Sequence, residues 1–151
     1  MQTPKSLFSR VTSYLDETGL TYDDDDEDDE GLIIVDKKLG IKKNWHMAIT
    51  VIDGYETAII SVDSFLKEPI LEINRLKVAE QITRINFDLR FGNFVLSMDR
   101  GDVVFKSYLE LANGFLTQKM FSRLLNLHDY AIKKHSAQIV SVGLGGEILR
   151  I

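Results

Sequence analysis

Apolar residues recur every three or four positions in three segments of the chain, a spacing that predicts amphipathic helices. The first segment follows Pro4, a residue favoured at the first helical position, and ends at Gly19. Its apolar stripe consists of Leu7, Phe8, Val11, Tyr14 and Leu15. The second segment follows Pro69, and its stripe consists of Leu71, Val78, Ile82 and Ile85.

The third segment lies within residues 115–142 and contains no glycine or proline. Its stripe consists of Phe121, Leu124, Leu125, His128, Ala131, Ile132, His135 and Ile139. This pattern predicts one long helix, or two in line, that ends at Gly143.

Other segments have the pattern of strands. A short apolar run at residues 32–35 precedes segments 45–52 and 55–62, which flank the turn-forming pair Asp53-Gly54. Later, residues 87–96 alternate between two sides of a strand, and a turn at residues 99–102 leads to a last strand at 103–109. We expect Asn86 to bond locally where the second helix becomes a strand, and Gly92 to mark a bulge or a close backbone approach.

The predicted order α-β-β-β-α-β-β-α is an α+β fold, with a five-stranded antiparallel sheet packed against helices. Segments INFDLRFGNF (85–94) and VVFKSYL (103–109), the glycine turn between them and the glycine after the final helix resemble the YbjN family. Members of that family are bacterial sensory transduction regulators with a type III secretion chaperone-like fold. The resemblance spans roughly residues 7–146 and implies a dimeric protein-interaction or regulatory module, without a cofactor or a catalytic motif.

Composition is that of an ordinary globular protein in a reducing compartment. The 151 residues are 44 % hydrophobic and 27 % charged, and are expected to form one domain with a tail at 147–151. The absence of cysteine excludes disulfides and thiolate zinc sites. Because no signal-peptide core or membrane-spanning run is evident, we expect a cytoplasmic protein that does not enter a membrane.

The net charge of −5 comes from one acidic run. Without its eight members, the 23 acids fall to 15, against 18 bases. The run consists of Asp23, Asp24, Asp25, Asp26, Glu27, Asp28, Asp29 and Glu30, and like charges in series predict an exposed, solvated loop. A calcium-responsive switch is an alternative, but Lys37 occupies the position where a calcium loop needs a bidentate glutamate.

A second charged cluster is basic. Lys37, Lys38, Lys42 and Lys43 precede Trp45, and such a combination can bind phosphates and stack on bases. A small nucleic-acid-associated regulator is therefore an alternative function. The competing interpretation is that these lysines protect the end of an edge strand from unwanted pairing.

His128 and His135 are predicted on one face of the last helix, as core-edge or interface residues whose protonation would weaken a dimer contact. The aromatic residues Phe87, Phe91, Phe94 and Phe105 are predicted to form core, the alternative being a ligand pocket. No arrangement of residues indicates a nucleophile, an acid-base pair or a metal site, which argues against an enzyme.

The absence of catalytic motifs and the resemblance to the YbjN family together imply a non-catalytic, chaperone-like binding module that acts in bacterial stress or signalling regulation as a homodimer. The dimer is expected because the last helix and second hairpin offer more apolar faces than one sheet can cover. The contact surface for an unidentified protein partner is predicted on the first helix and outer strands, at Leu7, Phe8, Val11 and Trp45.

Overall fold

The computed structural model describes residues 6–27, 30–39, 44–54, 57–112 and 115–150. The described helices are α1 (Leu7–Thr18), α2 (Arg75–Asp88) and α3 (Gln118–Gly143), with a 3-10 turn at Glu72–Asn74. The described strands are β1 (Tyr22–Glu27), β2 (Glu30–Leu39), β3 (Trp45–Asp53), β4 (Ala58–Leu66), β5 (Asn93–Leu96) and β6 (Val103–Leu111). The α+β prediction is confirmed, with one strand more than expected.

The strands form one antiparallel sheet in the order β1-β2-β3-β4-β6-β5. Strand β6 lies between β4 and β5, so the chain passes through α2 to the edge of the sheet before it returns to pair with β4. Strands β1 and β5 are therefore the two edges.

One face of the sheet, which we call the inner face, forms the core. Alternate residues of β3 and β4, such as Ile49 and Val62, are fully buried there beneath α1 and α3. Each large apolar side chain buried in this way contributes about 1.5–3 kcal/mol. The intervening residues form the outer face, which no described helix buries and on which Leu32 and Tyr108 are exposed.

The helix ends have local causes. The Ser6 hydroxyl accepts a hydrogen bond from Ser9 N at the start of α1, and Gly19 ends that helix with a φ of 74°. Thr117 caps α3 in the same way, accepting from Met120 N. The predicted end at Gly19 is confirmed, while Pro4 lies outside the described residues.

The predicted loop at residues 23–30 is wrong where the structure describes it. Asp23 and the next four acids lie in β1, and Glu30 begins β2. The backbone ladder with β2 does not depend on side-chain charge, and at a sheet edge Asp23 and Asp24 remain in solvent. Tyr22 also ties β1 to α1, since its hydroxyl donates to Asp16 Oδ1 at 2.8 Å. Asp28 and Asp29 lie outside the described residues.

The second predicted hairpin begins later than the alternation suggested. Helix α2 continues through Asp88, and β5 is only four residues long. Asn86, in the last helical turn, donates from Nδ2 to Phe94 O at 2.8 Å and accepts at Oδ1 from Phe94 N at 2.9 Å. The expected local bond at Asn86 is therefore confirmed. Its side-chain amide provides hydrogen-bond partners for the backbone N–H and C=O of Phe94 at the outer edge of β5.

Gly92 has a φ of +69°, and a Cβ atom there would lie 2.6 Å from the Phe105 ring. The expected close approach at this glycine is confirmed, because a side chain would displace the buried ring.

Asn86→Ala removes both hydrogen bonds to β5 and leaves the Phe94 backbone groups without partners. We expect the free energy of unfolding to fall by about 1–3 kcal/mol, measured by urea denaturation followed by circular dichroism. Thr83→Ala, on an exposed position of the same helix, is the control and should change the free energy by less than about 0.5 kcal/mol. Equal effects of the two substitutions would contradict the role of Asn86.

Candidate functional site

Three of the four residues predicted to contact a partner are buried within the chain. Leu7 and Val11 point from α1 into the core, and Trp45 lies under α3 and donates a hydrogen bond to it. The prediction is therefore wrong for these three as surface residues, because α1 uses its apolar stripe to cover the sheet. Phe8 is half-buried, with its ring against Gly31.

The charged clusters of the sequence do not form a described site. Asp26 and Gly31 pair in the β1-β2 ladder, and because Asp28 and Asp29 lie outside the described residues, calcium binding by the acidic run stays a prediction. Lys42 and Lys43 lie outside the described residues, so nucleic-acid binding by the lysine cluster stays a prediction. In the described part of the chain, no three His, Asp or Glu side chains are grouped to hold a metal ion. None of its helices is long and apolar enough to cross a membrane.

His128 lies at the centre of the core and bridges two strands. Its Nδ1 is 2.7 Å from Ser64 Oγ on β4, and its Nε2 is 2.6 Å from Ser107 Oγ on β6. The Phe105 ring packs edge-on against the imidazole, with 4.8 Å between ring centroids. Both ring nitrogens are thus satisfied, as a buried polar group requires.

This Ser-His-Ser arrangement does not form an accessible active site. His128 and Ser64 are fully buried, and no carboxylate accompanies the ring in the hydrogen bonds described. Burial lowers the pKa of His128 to about 3, so the imidazole is neutral at physiological pH. The contact fixes α3 on the sheet, and His128 is a core residue instead of a dimer contact.

Several large apolar side chains lie instead on the surface, where α2 begins and α3 ends. We name this group the α2-start cluster: Leu71, Ile73, Leu76, Met98 and Leu144. Ile73 is 85 % exposed and Leu76 is 77 % exposed. Leu76 falls outside the apolar spacing of Val78 and Ile82, which indicated its exposure. Leu71, predicted as part of the same stripe, instead precedes the helix and is 66 % exposed.

Hydrogen bonds hold the backbone beneath the α2-start cluster. Asn74 Nδ2 donates to Gly143 O at 3.0 Å and so joins the start of α2 to the end of α3. The Arg75 guanidinium donates to three carbonyl oxygens, of Ile70, Met98 and Asp99, each at 3.0 Å. The backbone that carries the cluster is therefore held in place by side-chain hydrogen bonds.

A cavity of about 870 Å³ lies between α2, the segment that follows it and α3. We name it the α2–α3 groove, and its main lining residues are Phe87, Phe91, Leu127, Tyr130, Lys134 and Leu149. Its volume is within the range of roughly 300–1,000 Å³ that is usual for binding pockets.

Two residues of the predicted aromatic core line this groove. Phe94 and Phe105 are buried, with 4.8 Å between their ring centroids, as the sequence predicted. Phe87 is 89 % exposed and Phe91 is 71 % exposed, so the core prediction is wrong for them. Because α2 extends through Asp88, Phe87 follows helical geometry and lies away from the buried stripe.

Basic side chains surround the aromatic rings of the groove. Arg84 pairs with Glu80 at 2.9 Å, whereas Arg90 and Lys134 pair with no carboxylate among the described residues. Lys134 Nζ lies 3.2 Å from the Tyr130 hydroxyl and 5.5 Å from the centroid of that ring. Burial, together with the charge of Lys134, lowers the pKa of His135, which also lines the groove.

The comparisons with known proteins agree with this architecture. The CesT_Tir_1 family model, which is type III chaperone-like, matches residues 4–144. A solved structure of YbjN, a candidate transcription regulator from E. coli, is similar with a TM-score of 0.58 and 15 % sequence identity. The alignment covers 88 % of this chain and 92 % of that one, and at this identity it shows a common fold alone. A search of curated proteins found no match.

Stability should depend on pH through His128. The unfolded imidazole binds a proton near pH 6.5, whereas the buried ring remains neutral down to about pH 3. The free energy of unfolding should therefore fall by about 1.4 kcal/mol per pH unit as the pH drops from about 6.5 towards 3.

His128→Gln removes this titration, and we expect the pH slope from urea denaturation between these limits to be smaller by that amount. His46→Gln, on the outer face of β3, controls for loss of a histidine elsewhere. Identical slopes for the wild type and His128→Gln would contradict a neutral, buried His128.

Proposed function

The chain belongs to the type III chaperone-like CesT_Tir_1 family with a YbjN-like fold, and we propose that it is a non-catalytic, homodimeric protein-binding module. We further propose that it has a regulatory role in a bacterial cytoplasm. The absence of cysteine is consistent with a reducing compartment.

The α2-start cluster is the observation that carries this proposal. Soluble monomers rarely expose a large contiguous group of apolar side chains, and such groups mark protein contacts. Here Ile73, Leu76 and Leu144 are each more than three-quarters exposed. The hydrogen bonds of Asn74 and Arg75 hold the backbone, so that binding need not order it.

A second copy of the chain is the occupant that we propose for the α2-start cluster. A two-fold interface brings the same patch from both subunits together and must be self-complementary. Apolar side chains satisfy this condition, whereas a patch with charge of one sign would repel its copy. In this proposal the homodimer contact lies mainly at the start of α2. Of the two elements that the sequence predicted for it, the end of α3 contributes Leu144 and the turn of the second hairpin contributes Met98.

The family further supports binding of a protein partner. The outer face of the sheet and the α2–α3 groove are distinct from the α2-start cluster, so a dimer through that cluster leaves both available. Outer-face residues Leu32, Ile52 and Tyr108 are exposed apolar or aromatic side chains in a sheet that no described helix buries on that side. The dimer is thus proposed as the platform and the remaining surfaces as the contact sites for a partner.

The partner is to be tested by cross-linked affinity purification from the native cell, followed by reconstitution from purified components. We expect one protein to bind the purified chain with a fixed stoichiometry, measured by titration calorimetry. Recovery of the chain alone, with no protein that binds on reconstitution, would contradict a partner-binding function.

For the dimer, sedimentation velocity at micromolar concentration should give twice the chain mass of 17.2 kDa. Ile73→Glu with Leu76→Glu introduces like charges at the centre of the contact, and this variant should sediment as a monomer with an unchanged circular dichroism spectrum. Tyr108→Ser, on the outer face, is the control and should remain dimeric. A monomeric wild-type protein would overturn the homodimer.

A further inference from the structure

The α2–α3 groove already holds one segment of peptide backbone. Gln81, which is 2 % exposed, accepts a hydrogen bond at Oε1 from Leu149 N at 2.7 Å. Gln138 Nε2 donates to the same oxygen at 3.3 Å. The segment that follows α3 is therefore held against α2 at Leu149, and Leu149 becomes one wall of the groove.

The groove remains open beside this segment. The cavity of about 870 Å³ is present with Leu149 in place. Phe87, Phe91 and Tyr130 present aromatic rings to it, and Leu127 adds an aliphatic surface. Exposed aromatic rings around a concavity are the usual anchors for an apolar side chain of a partner.

The charged side chains that line the groove favour a partner of opposite charge. Arg90 and Lys134 pair with no carboxylate among the described residues, and Arg84 is already paired with Glu80. Asp88 is the acid that lines the cavity, so the lining is net positive on a chain whose net charge is −5. A segment with carboxylates next to its apolar residue complements this arrangement.

We propose that the α2–α3 groove binds an extended acidic segment of a partner protein, with an apolar side chain seated among Phe87, Phe91 and Tyr130. Carboxylates of that segment pair with Arg90 and Lys134. The inference rests on the proposed function, since it specifies the chemistry of the partner that the module binds.

A peptide fits these observations better than a nucleic acid. The combination of aromatic and basic residues would also suit single-stranded nucleic acid. However, the Gln81 side chain in this groove already binds the peptide backbone of Leu149. Arg90 and Lys134, which pair with no carboxylate among the described residues, are opposed by Asp88 and provide little positive charge for phosphates.

The test is selection of a phage-displayed library of random short peptides on the purified full-length protein, followed by synthesis of the enriched peptides. We expect enriched sequences to share a large apolar residue flanked by Asp or Glu. Their affinity, measured by fluorescence anisotropy, should fall roughly tenfold with Phe87→Ser and with Lys134→Glu, and should weaken with added salt.

The substituted side chains are exposed, so these variants should keep the fold; Phe91→Ser provides a second test of the aromatic anchor. Phe115→Ser removes a similarly exposed aromatic ring that does not line the groove, and it should leave the affinity unchanged. A fluorescent poly-uridine oligonucleotide is measured in parallel with every variant.

The proposal is overturned if no sequence is enriched, if enriched peptides lack acidic residues, or if they bind Phe87→Ser and Lys134→Glu as well as the wild type. Binding of the oligonucleotide that is lost in these variants and not displaced by peptides would assign the groove to nucleic acid instead. Any of these results leaves the dimer mass and the reconstituted partner complex unaffected, so the proposed function is judged separately.

Discussion

The packing of α3 on the sheet depends on one buried polar contact. The imidazole of His128 cannot enter the core unless both of its nitrogens find partners, and Ser64 and Ser107 supply them from two adjacent strands. Apolar packing alone would tolerate some rotation or sliding of a helix, whereas two short hydrogen bonds define its position. The neighbouring elements then have fixed places, because α1 contacts both α3 and the sheet.

Helix α2 has a different role, since it joins separate parts of the chain through side-chain amides. Asn74 donates to the last residue of α3, Gln81 bonds Leu149, and Asn86 bonds Phe94 on β5. Each side-chain amide bonds a backbone group that has no strand or helix partner there. These bonds attach α2 to the rest of the chain, so that it does not need to bury a wide apolar face. Its remaining apolar side chains are available at the surface, at the α2-start cluster and in the α2–α3 groove.

The inner core and the surface side chains of α2 are thus separate parts of this small α+β domain. The inner face of the sheet provides the core, and α2 provides two surfaces with different chemistry. The α2-start cluster is apolar, whereas the groove is aromatic and basic. The fold is shared with YbjN, but at 15 % identity the chemistry of these surfaces depends on the residues of this chain.

Local patterns determined much of the architecture. Helical spacing predicted α3 and its buried stripe, the Asp53-Gly54 pair marked the connection between β3 and β4, and Asn86 was recognised as the junction of α2 and β5. These features depend on nearby residues, whose spacing is visible in the sequence.

Tertiary structure decided the rest, because exposure depends on which elements cover one another. The charge of Asp23 did not prevent strand formation, since pairing with β2 uses the backbone and the sheet edge leaves the carboxylate in water. The apolar side chains of Leu7 and Trp45 suit either a partner contact or the core, and the positions of α1 and α3 place them in the core. Conversely, one additional turn of α2 moved Phe87 from a predicted core strand to the surface of a groove.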